Sequence, residues 1–445
     1  MDMLHKAIRI DLFSLKTPQM RAFHMTWFAF FLCFFGWFGI APLMAIVRED
    51  LMLTKAQIGN TIIASVAITV LVRLIIGPLC DKFGARLTYT WLLILGSLPV
   101  MGIGLAQSYE SFLLFRLAIG AIGASFVITQ YHTSMMFAPN CVGTANATTA
   151  GWGNLGGGVT QMVMPLIFAA FLMLGVGQFM SWRVAMIIPG AVLLLTGIAY
   201  YFCTQDAPEG NYSELRAQGK MAPRSDKEFG SFSAAAKDYR VWALFVIYAA
   251  CFGIELTINN VAALYFHDRF HLDVKTAGLI AGLFGLMNIF ARTLGGMFSD
   301  KFAKTSGLKG RVWFLGTVLL LEGIALVVFS RMPVLGIAVI AMIVFSLFVQ
   351  MSEGATYGIV PFINKKAVGP VAGIVGAGGN AGAVAAGFLF RIESVATQDA
   401  LLILGILVAV SSSLALLVRF SPQVEAEERA ALADALEQRE ALMAI

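Results

Sequence analysis

Apolar residues run along this chain in long blocks and do not alternate with polar ones. Twelve stretches read as continuous apolar helices, at residues 24–47, 57–79, 87–107, 111–133, 145–174, 183–203, 241–265, 275–298, 312–330, 333–357, 370–390 and 399–419. Each is close to the ~20 residues that let a helix cross a bilayer with every backbone polar group satisfied inside its own segment. The pattern predicts an all-α membrane protein of twelve transmembrane helices. Between the sixth and seventh stretches lies the longest polar run, 204–238, rich in Pro, Gly, Ser and alternating charge, as a flexible linker is. The expected divisions are a six-helix bundle with a short N-terminal segment at 1–203, a linker at 204–240, a second six-helix bundle at 241–420 and a tail at 421–445.

Composition agrees, since 58% hydrophobic and 13% charged residues over 445 positions are too apolar for a water-soluble globular chain. An even number of crossings puts both ends on one side. Of the 31 Lys and Arg, 21 fall on connecting segments on the side of the termini and 7 on the opposite side. Cytoplasmic loops carry the excess of positive charge, so both termini are expected in the cytoplasm and the protein in the inner (cytoplasmic) membrane. The same bias accounts for the net charge of +5 and calls for no nucleic-acid partner. Cys33, Cys80, Cys141, Cys203 and Cys251 stand singly, without metal-ligand spacing, so neither metal nor cofactor is expected. No cleavable leader is read at the start; Ile8 to Leu15 is expected to lie at the membrane interface. The tail segment 425–442 has apolar residues at helical spacing and is expected to form an amphipathic helix.

The two halves repeat. VRLIIGPLCDKFGAR (72–86) reads against ARTLGGMFSDKFAK (291–304), aligning Arg73, Gly77, Asp81, Lys82 and Phe83 with Arg292, Gly296, Asp300, Lys301 and Phe302. AGWGNLGGGV (150–159) reads against VGAGGNAGAV (375–384), aligning Gly153, Asn154 and Gly156 with Gly379, Asn380 and Gly382. The pairs fall in spans two and eight and in spans five and eleven, which predicts two bundles related by a pseudo-two-fold axis.

GPLCDKFGAR, with Asp81 followed by Lys82 and Arg86, resembles the loop between spans two and three that marks the major facilitator superfamily. The resemblance implies its fold, with Asp81 and Asp300 as latches that hold one side closed through charge-assisted hydrogen bonds. Arg73 and Arg292 lie in mid-span, where a guanidinium costs several kcal/mol unless it meets water or a partner. Arginine also suits a planar oxyanion, with paired donors and a permanent charge. Two such groups facing across the bundle axis would hold one small anion; a structural pairing with an internal Glu is the alternative. The glycine-rich faces allow close, sliding helix contact, and Asn154 and Asn380 are the only amides in them.

The glycine and asparagine segments resemble the paired nitrate signatures of the nitrate/nitrite porter family. ELTINNVAALYFHDRFHL (255–272), KTPQMRAFHMTWFAFFLCFFGWFGIAPL (16–43) and ATYGIVPFINKKAVGPVAGIVGAGGN (355–380) are similar to its high-affinity nitrate uptake branch, so the likeness covers nearly the whole chain. It implies nitrate or nitrite transport by alternating access; no enzymatic activity is expected, since no nucleophile, base and orienter or metal cluster is read outside the apolar blocks, and the protein is expected to function as a monomer in the lipid bilayer. Arg73 and Arg292 match the substrate-binding arginines. Asn154, Asn380, Phe126, Tyr248, Phe252, Gly153 and Gly379 match the surrounding pocket and signatures, with plain packing the alternative for the aromatics and glycines.

Inward movement of an anion against a negative-inside potential costs roughly 2.3 kcal/mol per 100 mV, so uptake needs a co-transported cation or an exchanged anion. Glu255, Glu322 and Glu353 are intramembrane acids, and His132 lies at the inner end of span four. Glu255 comes first as a proton-coupling group, ahead of Glu353 and His132, because it follows the pocket aromatics by one turn; a salt-bridged or capping role is the alternative. Arg116, in a partial RxxxGxG motif, is expected to pair with one of these acids. Proton symport is preferred to nitrate/nitrite exchange, and a nitrate sensor without net transport remains as a different class.

Overall fold

The computed structural model describes residues 6–138, 141–220, 228–364 and 368–430. Part of the linker (221–227) and most of the expected tail helix (431–442) lie outside these residues. Eleven described helices are long and apolar enough to cross a membrane: α1 Pro18–Asp50, α2 Lys55–Phe83, α3 Ala85–Leu105, α4 Tyr109–Met136, α5 Val142–Met173, α6 Gln178–Cys203, α7 Tyr239–Phe270, α8 Val274–Ser330, α9 Leu335–Ile363, α10 Pro370–Arg391 and α11 Thr397–Leu417.

α8 is too long for a single crossing. Its 57 residues would measure about 85 Å as one rod, against a hydrocarbon core about 30 Å thick. At Gly307 the backbone leaves helical geometry, with φ 64° and ψ −151°, a region open to glycine at little cost. The chain folds back there, since Phe302 stacks on Phe314 at 5.4 Å between ring centroids. Lys301, Lys304, Lys309 and Arg311 flank this reversal. The spans expected at 275–298 and 312–330 are therefore two separate helical limbs, which makes twelve candidate crossings among the described residues.

Helix starts follow local rules. Thr17 and Thr54 accept from the backbone N–H groups of Met20 and Gln57, and Asp273 accepts from that of Thr276, so the first turns of α1, α2 and α8 are capped. The spans are inverted relative to a soluble protein. Leu74, Trp91, Leu95, Leu114 and Leu195 are exposed while Asn154, Gln161, Glu255 and Asn288 are buried, as expected where the surroundings are hydrocarbon and polar groups must find each other inside. Among the described residues only isolated bridges stand in for strands; one joins Ala7 to Phe137. The N-terminal stretch before α1 is irregular, with Ile8, Phe13 and Leu15 exposed.

The chain divides into two compact units. One comprises Met1–Ser225, Glu255–Ile289 and Ala383–Ala400; the other comprises Asp226–Ile254, Phe290–Gly382 and Leu401–Ile445. In the first unit α1 packs on α5, α3 on α6, α2 on α4, and α5 on the opening part of α8. In the second, the continuation of α8 packs along α9.

Candidate functional site

In the first unit, Arg73 projects from α2 toward a break in α4. The α4 helix tightens to a 3-10 turn at Ala121–Ala124, which changes the hydrogen-bond pattern in mid-span, a common mark of a hinge. The Gly123 carbonyl there accepts from Arg73 Nη2 at 3.4 Å. The guanidinium lies 5.6 Å from the Phe126 ring centroid, a cation–π arrangement that stabilises a poorly hydrated cation by about 1–2 kcal/mol. Phe126 in turn lies 5.8 Å from Phe30. Gly153 faces Phe30 with no room for a Cβ. Thus Arg73, Phe126 and Gly153 are linked through one aromatic ring that the sequence reading did not include.

The same unit holds a buried acid–amide cluster. Glu255 on α7 is 0% exposed, and its two carboxylate oxygens accept from Asn154 Nδ2 on α5 at 3.3 Å and from Asn288 Nδ2 on α8 at 2.7 Å. Two donors from two helices satisfy the carboxylate where water does not reach. Asn154 is thereby committed to Glu255. The helices can approach because Gly158 and Gly285 meet, a Cβ on Gly158 falling 2.6 Å from the Gly285 Cα. A little farther along, Gln161 donates to the Asn259 carbonyl at 2.7 Å. The expected acid beside Arg116 is replaced by an amide: this fully buried guanidinium donates to Asn260 Oδ1 at 2.7 Å and to the Trp37 carbonyl at 3.2 Å. Asn260 fills that place because it lies one turn and a residue beyond Glu255 on the same helix.

The second unit organises Arg292 differently. Its guanidinium is 8% exposed, forms an ion pair with Glu353 of α9, and donates to the Tyr248 hydroxyl at 3.1 Å. Tyr248 stacks on Phe252 at 5.3 Å and meets Tyr357 edge-on at 5.2 Å. Positions 248 and 252 are one helical turn apart, so both rings share a face of α7. Gly379 lies against Phe252, and Gly354 lies against the Arg292 carbonyl, neither with space for a side chain. The structure thus gathers Arg292, Glu353, Tyr248, Phe252 and Gly379. Asn380 is fully buried and neither polar atom of its amide has a partner among the described residues, a costly state for a buried amide.

His132 belongs to a hydrogen-bonded network in the first unit. Its Nε2 faces the Gln205 carbonyl at 2.8 Å and so donates, while Nδ1 lies 2.6 Å from the Tyr200 hydroxyl, which also bonds Thr26 at 2.9 Å. Both ring nitrogens are engaged. Of the latch acids, Asp300 forms an ion pair with Arg311 at 2.6 Å, whereas Asp81 receives Arg216 on its backbone carbonyl at 2.9 Å. The carboxylate that caps the start of α3 is Asp206, which accepts from the backbone N–H groups of Arg86 at 2.8 Å and Tyr212 at 3.0 Å, where the helix dipole favours negative charge.

Asn288, Asp206 and the bidentate Arg48–Asp268 pair, at 2.7 and 2.8 Å, were absent from the sequence reading. Asn288 could have been found as an amide inside an apolar block, four residues before Arg292. Arg48 and Asp268 look like ordinary loop charges until α1 and α7 are brought together.

The structure is a bundle of apolar helices with an arginine near mid-span in each repeat. Residues 26–356 match the model of the Major Facilitator Superfamily. High affinity nitrate transporter 2.5 of Arabidopsis thaliana is 41% identical over 95% of this chain and 84% of its own length. High-affinity nitrate transporter 2.3 of Oryza sativa subsp. japonica is 42% identical over 86% and 74%, and nitrate/nitrite transporter NrtP of Picosynechococcus sp. is 31% identical over 82% and 84%. The crystal structure of a bacterial homologue of the human lysosomal transporter Spinster, in an inward-facing and occupied conformation, superposes with a TM-score of 0.68 at 17% identity, covering 90% of this chain and 98% of that one; this likeness concerns the fold. The chain belongs to the Major Facilitator Superfamily and, within it, to the nitrate/nitrite porter family. It is a multi-pass membrane transporter and not an enzyme.

Proposed function

We propose that this protein imports nitrate, with nitrite as a second cargo, by alternating access driven by co-transported protons. The observation that carries the cargo is the pair of repeat-related guanidiniums, Arg73 over Phe126 and Arg292 held by Tyr248, in a chain 41% identical to a high affinity nitrate transporter. Arginine offers a planar oxyanion two parallel donors and a charge that persists at any physiological pH. Asn380, with its unsatisfied amide, supplies further donors, and the aromatic faces exclude water from the anion.

Arg292 is already neutralised by Glu353. An arriving anion competes for that guanidinium and adds a negative charge beside the buried acids of the same unit, which raises their affinity for a proton. Anion and proton binding then favour each other, which is the thermodynamic requirement of symport. Glu255 serves as a second proton-coupling candidate through its amide clamp. We place the six-helix halves 1–203 and 241–420 as the moving bodies, in the cytoplasmic membrane with both termini cytoplasmic, on the strength of the Lys/Arg distribution. Rocking requires the Arg48–Asp268 pair and the α5–α8 glycine contact to part.

Nitrate uptake into proteoliposomes with an imposed proton gradient, with and without internal nitrite, tests this. Symport is supported by uptake under the gradient alone. A requirement for internal anion replaces symport with exchange, and binding without movement replaces transport with sensing. Arg73→Lys and Arg292→Lys keep the charge and lose the fork, and each is expected to weaken nitrate binding by about tenfold or more. Wild-type affinity in both variants would remove the arginines from the site.

A further inference from the structure

Three carboxylates in the described spans are 0% exposed: Glu255, Glu322 and Glu353. Their surroundings sort them. Glu255 accepts from two amide groups and Glu353 pairs with Arg292. Glu322, on the returning limb of α8, has no hydrogen-bond partner at either oxygen among the described residues. An ionised carboxylate removed from water without donors is too costly to persist, whereas the neutral acid is tolerated.

We propose that Glu322 is a protonated carboxylic acid in this state and is the residue that carries the transported proton. The proposal rests on the proton-coupled reading above. Its neighbours fit the task. The Ser352 hydroxyl of α9 is the polar group nearest to hand beside Glu322, short of hydrogen-bond geometry and without another partner among the described residues, and Glu353 is the next residue. Cys251 of α7 lies within electrostatic reach of Glu322, of Glu353 and of Arg292. On the remaining side, Gly323 packs against Ala409 of α11, and residues 401–417 contain no ionisable side chain. Among the described residues, Arg292 and Glu353 are the charged groups that share the neighbour Cys251 with Glu322.

That pair is neutral overall. When an anion joins Arg292, the group gains one negative charge, which favours Glu322 keeping its proton. When the anion leaves and water enters, the O–H bond of Glu322 breaks, the proton passes to water, and the carboxylate that remains is solvated. Cargo and proton are thus bound together and released together, without either touching the other.

Infrared spectroscopy of the full chain in proteoliposomes tests the protonation directly. The wild type at neutral pH is expected to show the C=O stretch of a buried protonated acid. Glu322→Gln should remove that band and Glu255→Gln should keep it. A wild type without the band, or a band that survives in Glu322→Gln, overturns the proposal. The wild-type arm decides even where the variant fails to fold. For the carrier role, Glu322→Gln should lower proton-driven uptake by about tenfold or more while nitrate–nitrate exchange continues, and Glu322→Asp should restore part of it. Equal loss of both modes, or loss of neither, assigns Glu322 to packing. Wild-type uptake indifferent to the proton gradient would defeat the symport reading instead, and the band would still report where the proton sits.

Discussion

Glu255 and Asn288, 33 residues apart on successive helices, are joined by a 2.7 Å hydrogen bond inside a span. With Asn154 on the other oxygen, the carboxylate ties three helices of one compact unit together. Each donor answers a desolvated oxygen, so the cluster holds its helices only while all three side chains are in place.

Asn288→Ala should therefore cost about 1.5–3 kcal/mol, the range for a hydrogen bond to a charged group. Asn288→Asp should cost more, because it sets a second carboxylate against the first. Thermal unfolding of the purified protein in detergent checks both, and a melting temperature unchanged in Asn288→Asp would show that Glu255 is not held by that amide.

The Arg292–Glu353 pair predicts an asymmetry between breaking and replacing it. Arg292→Ala leaves a buried carboxylate without its cation and should destabilise by about 3–5 kcal/mol. The double variant Arg292→Ala with Glu353→Ala should recover part of that loss, since no lone charge remains. Denaturation of the two variants side by side supplies the comparison; a double variant less stable than the single one contradicts the pairing.

Glycine contacts separate positions that tolerate a side chain from those that do not. Gly158→Val should disrupt the α5–α8 contact, because its Cβ would fall 2.6 Å from the Gly285 Cα and overpacking against backbone costs about 1–3 kcal/mol or more. Gly143→Ala, in open space on the same helix, should stay within about 0.5 kcal/mol of wild type. Yield and melting temperature of the two variants give the answer.

Asp273 caps α8 and its carboxyl is held below the usual range by the Thr276 hydroxyl, which donates to it at 2.6 Å, and by the Thr276 backbone N–H at 3.0 Å. Its folded value lies below the unfolded one, so its stabilisation is present above the unfolded value near 3.9 and fades as pH falls through the folded value. Asp273→Ala should lose about 1 kcal/mol at neutral pH. The difference between variant and wild type should shrink in acid, and a difference that holds constant down to pH ~2 would assign the loss to something other than the cap.

The apolar blocks were legible in one dimension because crossing hydrocarbon is a property of each segment by itself. Twelve stretches, the linker between the sixth and seventh, and the repeat that pairs Arg73 with Arg292 all come from the order of residues. A charge inside such a block announces itself for the same reason: its cost is local and large. The turn at Gly307 falls in the polar stretch between the spans read at 275–298 and 312–330.

What each charge meets was not legible. Arg292 finds Glu353 across 61 positions and Arg116 finds Asn260 across 144, and these partnerships depend on how two helices are rotated and how closely glycines let them approach. Glu255, Glu322 and Glu353 look alike along the chain, as three acids in three apolar segments. Tertiary packing alone gives the first two amides, leaves the second without a well-formed hydrogen bond among the described residues, and gives the third an arginine. The sequence determined that charge is buried here; the fold decided which charge is neutralised and by what, because in a low-dielectric interior the state of an acid is set by the few groups within hydrogen-bond reach.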